Sequence, residues 1–174
     1  MVNTDVLEEL TFIPTNLVTL PEQLEKARLA EKHVLLWDLT GSVPLYMDDA
    51  NEADFMHEMV KVALCKKPSL HSVLMNALKL LRQHLINSMV SGTCMLLNLG
   101  MLTPDFRKVY TNDEVFPANI IFDSKKWNYR RAHLPYLERY IKGDSTSARD
   151  SHNKDAEMSK SFQLVLRTSV ECED

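Results

Sequence analysis

Leu70, Val73, Leu74, Ala77, Leu78, Leu81, Leu85 and Met89 recur at three- and four-residue intervals, the spacing that lines one face of an α-helix. Ser69 stands where an N-cap belongs, and Gly92 stands where a helix ends with positive φ. An earlier helix is predicted from Glu52 to about Cys65, with Phe55, Met56, Met59, Val60, Ala63 and Leu64 as one apolar stripe. Thr19-Leu-Pro-Glu22 is a capping box with proline in the first turn, so a helix over about 20–31 follows. The runs His33–Leu39 and Thr93–Leu99 are short and almost continuously apolar, as in parallel strands covered on both faces. The first of them is predicted to be central in the sheet. Phe162–Thr168 gives a last strand.

Weaker signals fill the gaps. Thr103-Pro104-Asp105 predicts a short helix over 104–111, Ala118–Phe122 a short strand, and Leu134–Ile141 a helix. Residues 143–160 hold almost no large apolar side chain, and a mobile polar loop is expected there. The order predicts an α/β fold, a three-layer, mostly parallel sheet with helices on both faces. Residues 1–18 are assigned to an N-terminal arm, 19–170 to the single domain and 171–174 to an acidic tail.

Composition narrows function by exclusion. At 174 residues, with 45% hydrophobic and 25% charged, the chain can bury a core and is not a disordered polyampholyte. Its formal charge of −4 gives no global field for DNA or anionic membrane. The opening MVNTDVLEEL has acid where a signal peptide needs base, and no apolar run would span a bilayer, so a cytoplasmic protein with no membrane partner is expected. The cysteines Cys65, Cys94 and Cys172 form no CxxC, which argues against zinc, a disulfide framework and thioredoxin-like redox chemistry.

Candidate chemistry is sparse. The four glycines, Gly41, Gly92, Gly100 and Gly143, form neither GxGxxG nor the ends of GxxxxGK[ST]. His57-Glu58 begins like HExxH, but Lys61 occupies the second histidine's place, and no metal site is assigned. There is no GxSxG, and no catalytic residue is assigned. Ligands of open α/β sheets lie beyond the carboxyl ends of the strands. That rule points at Asp38, Thr40, Gly41, Ser42, Asn98, Gly100, Thr168 and Ser169; of these, Asp38, Thr40, Gly41, Ser42, Asn98 and Thr168 are the nucleotide-binding candidates, with Asp38 on magnesium and the Thr40–Ser42 loop on phosphate. The loop lacks a phosphate-neutralising lysine, and Asn98 is neutral where a second acid would complete a metal pair. The densest basic and aromatic cluster, Lys125, Lys126, Trp127, Tyr129, Arg130, Arg131, Tyr136 and Tyr140, suits a protein partner, or alternatively RNA.

Ser91-Gly-Thr-Cys-Met-Leu-Leu-Asn-Leu-Gly-Met-Leu102, with Pro104-Asp-Phe106, resembles the segment of dynein heavy-chain AAA modules in which a helix ends in glycine, a strand ends in Leu-(Gln/Glu)-Asn and a short helix follows. Ser161–Thr168 is similar to their sensor strand, and His33–Leu39 to an earlier strand of the sheet. The similarity spans residues 20–170. It implies a degenerate, non-hydrolysing P-loop-like module, with Asn98 at the Walker B-like position and Thr168 at the sensor-like strand end. No Walker A sequence follows any strand, and the resemblance does not extend to the helical lid that closes on nucleotide. The functional expectation is a non-enzymatic protein-interaction module without cofactor, in a cytoskeletal or ciliary setting. The alternatives are a small phosphoryl-transfer enzyme using ATP or GTP with magnesium, and an RNA-binding protein.

Overall fold

A computed structural model describes residues 13–30, 32–43, 47, 50–66, 69–122 and 161–169. Its elements run α1 (Leu20–Leu29), β1 (Val34–Trp37), β2 (Asn51–Asp54), α2 (Phe55–Leu64), α3 (Leu70–Ser91), β3 (Cys94–Gly100), α4 (Ala118–Ile121) and β4 (Gln163–Thr168). The strands form a four-stranded sheet in the order β1-β4-β3-β2, with every neighbouring pair parallel. The fold is therefore α/β with a parallel sheet, as the alternation of elements predicts.

The core lies between the sheet and the α2–α3 pair. Ala53, Met95, Leu97 and Leu164 from the strands meet Phe55, Met59, Val62, Ala77, Leu78, Leu81, Leu85 and Met89 from the helices. The predicted stripe on α3 is the one that is buried. Alternation places Gln163, Val165 and Arg167 of β4 on the opposite face, where Gln163 Nε2 donates to the Leu24 carbonyl of α1 at 2.9 Å. Helices thus touch both faces. Gly92 ends α3 in the left-handed region at φ 75°, its N–H donating to Ser88 O at 2.8 Å.

Several sequence expectations require correction. Among the described residues, β1 is an edge strand rather than a central one: it pairs only with β4 and leaves Leu35 64% and Trp37 40% exposed. Its apolar run reports one covered face, not two. Glu52–Asp54, placed at the start of a helix by periodicity, belongs instead to the strand β2 beside β3. The reason is tertiary. Asn51 Nδ2 donates to His84 O (3.1 Å) and lies 2.9 Å from Ser88 Oγ, while its Oδ1 meets His84 Nδ1 at 2.8 Å, so the polar segment is tied to α3. The helix then begins at Phe55, and the apolar stripe splits: Phe55 and Met59 are buried, Met56, Val60 and Leu64 exposed, while Val62, outside that stripe, is buried.

Capping also differs from expectation. Thr19 makes no side-chain cap to α1. Asn16 Oδ1 instead accepts from the amides of Val18 and Thr19, and Glu22 pairs with Lys26 at 2.7 Å rather than reaching back. Ser69 likewise makes no side-chain cap. Residues 104–111 form turns, because Asp105 Oδ1 takes the amides of Arg107 and Lys108 and closes a local loop. Ala118–Ile121 is a single helical turn after Pro117, not a strand. A short apolar run fits either structure. The predicted helix 134–141 and polar loop 143–160 lie outside the described residues.

Candidate functional site

Strand order locates the candidate site. The chain leaves β1 for the far edge, then steps back through β3 to β4, which inserts between β1 and β3. Where such connections reverse, the carboxyl ends of the strands open a crevice. Asp38, Thr40, Gly41, Ser42, Asn98 and Thr168 are brought together at this edge. A register shift between Asn98 and Gly100 shapes it, with Asn98 opposite Arg167 but Gly100 opposite Thr168. Gly100 has φ 57°, and a methyl there would run into the Met56 side chain of α2.

The hub is Arg167, which the sequence reading did not select. Its Nε donates to Asp38 Oδ2 and its Nη1 to Asn98 Oδ1, both at 2.9 Å. Asn98 Nδ2 in turn donates to Glu52 Oε1 at 3.0 Å, so a polar chain crosses β1, β4, β3 and β2. Asn98 Oδ1 also takes the Gly100 amide at 3.1 Å. The ladder closes behind this chain: Asp38 N–H donates to Thr168 O, Ser169 N–H to Gly100 O, and Thr168 Oγ1 to Gly100 O.

The loop after β1 turns its amides inward. Thr40 and Gly41 N–H donate to Asp38 Oδ1 at 3.2 and 2.9 Å, the Thr40 hydroxyl joins them at 3.1 Å, and Val43 N–H reaches Oδ2 at 3.2 Å. Ser42 N–H goes to Thr40 Oγ1 at 3.3 Å. The anion this loop cradles is the chain's own carboxylate. Burial is the largest influence on the Asp38 carboxyl and works against its charge. Hydrogen bonds from Arg167, Val43 and Thr40, with the Arg167 charge, outweigh it and hold the carboxyl below its ordinary value. An ion pair with side chains 10% and 2% exposed, saturated with hydrogen bonds, is well suited to fix strand ends. It leaves Asp38 poorly placed to ligate magnesium, because both oxygens are already committed.

Arg167 had a signal in the sequence: it is the one charged residue in an otherwise apolar and polar-neutral strand, Phe162–Thr168. Glu52 had none, since periodicity put it on a helix. Lys125, Lys126, Trp127, Tyr129, Arg130, Arg131, Tyr136 and Tyr140 lie outside the described residues. Among the described residues, no group of three or more His, Cys, Asp or Glu side chains is gathered to hold a metal ion. No helix among them is long and apolar enough to cross a membrane. Comparisons with family models, with characterised proteins and with solved structures find no match for this chain.

Proposed function

We propose that this chain is a non-enzymatic protein-interaction module built on a degenerate P-loop-like sheet. One observation carries the reading: at the edge where an α/β sheet holds its ligand, Asp38, Arg167, Asn98 and the amides of Thr40, Gly41 and Val43 are spent on one another. Phosphoryl transfer needs a carboxylate free for magnesium and amides free for phosphate. Here the two satisfy each other. The resemblance to dynein modules supplies the P-loop-like part of the proposal and its cytoskeletal or ciliary setting, an analogy from fold and strand sequence.

The partner surface is assigned to the Lys125–Tyr140 segment on its chemistry, cations interleaved with Trp127, Tyr129, Tyr136 and Tyr140. Such a surface favours a partner with an acidic face. The test is capture of partners from a cell extract by the full chain and by a variant with Lys125, Lys126, Arg130 and Arg131 reversed to glutamate. Loss of specific partners from the variant is expected. Identical partner sets from the two would remove the assignment.

A further inference from the structure

Asp38 binds as a free carboxylate would in a receptor. Its Oδ1 takes the Thr40 and Gly41 amides and the Thr40 hydroxyl, and its Oδ2 takes the Val43 amide and Arg167 Nε. The donors come from two separate parts of the chain, a loop after β1 and the end of β4, so this is more than a local turn closing on itself. The cation is preorganised as well. Only 10% of the Arg167 side chain is exposed, and Asn98 Oδ1 fixes its Nη1 at 2.9 Å. One methylene tethers the carboxylate to the backbone, which gives it a high effective concentration against any competitor.

We infer that the Thr40–Val43 loop and Arg167 form a carboxylate-binding site whose resident ligand is the chain's own Asp38, and which opens to a free carboxylate once that side chain is removed. This goes beyond the interaction reading and does not depend on any protein partner. A tethered ligand of this kind makes the wild-type edge refuse external anions. Its removal leaves a preformed cavity with a buried positive charge, which a small planar anion fills.

Melting of the full chain tests this, with sodium formate as the probe and sodium chloride at equal ionic strength as the reference. Asp38→Ala is expected to melt below wild type and to regain about 3–6 °C saturably when formate is about ten times its Kd. Wild type should respond to formate no more than to chloride. Asp38→Ala/Arg167→Met should lose the formate response. Phosphate, bulkier than the deleted carboxyl, should act on Asp38→Ala no more strongly than chloride. An equal response of Asp38→Ala to formate and chloride would overturn the inference, and a phosphate response exceeding that to formate would overturn its assignment to carboxylates. Should Asp38→Ala not fold in chloride, refolding by formate supports the site and failure to refold counts against it. Hydrogen exchange of wild type gives an independent reading: the Thr40, Gly41 and Val43 amides should be protected, and exchange as fast as in an open loop would contradict the occupied cradle.

Discussion

Arg167 and Asp38 stabilise the sheet only as a pair. Removing the cation alone, as in Arg167→Met, strands a buried carboxylate and should cost about 3–5 kcal/mol in urea unfolding. Asp38→Ala/Arg167→Met removes both charges and should recover much of that loss, since an apolar replacement of a buried pair is often close to neutral. Acid acts through the same carboxyl. Because its folded value lies below the ordinary 3.8, its contribution is complete above that value and is lost as pH falls through the lower folded one. Stability measured from pH 5 downward should therefore decline less steeply in the double variant than in wild type. Gly100 is a different kind of residue-scale constraint. Gly100→Ala should cost roughly 1–2 kcal/mol from its left-handed backbone, and Met56→Ala should not rescue it, because the flexible thioether can move aside while φ cannot.

At the scale of elements, β2 shows how a strand of poor intrinsic propensity is held in place. Asn-Glu-Ala-Asp has little reason to extend, yet Asn51 bonds to His84 and Ser88 across to α3, and Ser88 is fully buried. Asn51→Ala should cost about 1–3 kcal/mol by leaving those partners unsatisfied. Burial lowers the His84 pKa below 6.5, so an NMR titration of its ring should show a midpoint under that value. Its contribution to stability is present above pH 6.5 and is lost as pH falls through the folded midpoint. The long helix α3 and the strands β3 and β4 were legible because burial imposes period and composition directly. β2 was not, because its partners lie more than thirty residues away and leave no periodic trace. The edge position of β1 was also hidden: Val-Leu-Leu-Trp reads alike whether one face or two are covered. Turn chemistry hid in the same way, with Asn16 and Asp105 closing loops that the proline and threonine signals assigned to helix caps.

At the scale of the molecule, parallel strands and their order carry the candidate residues to one edge without any motif. The carboxyl-end rule selects Asp38, Thr40, Gly41, Ser42, Asn98 and Thr168 from the sequence, because it needs only strand ends. It could not show that Arg167 joins Asp38 to Asn98, since that depends on which strands are neighbours. Asp38 and Arg167 fill this edge from within, taking up the amides and the carboxylate that a nucleotide and its magnesium would use. Melting of the wild-type chain with millimolar ATP or GTP plus magnesium, against magnesium salt at equal ionic strength, is the decisive measurement. No change in Tm beyond the salt control is expected; a saturable, nucleotide-dependent rise would show that the edge is open to nucleotide.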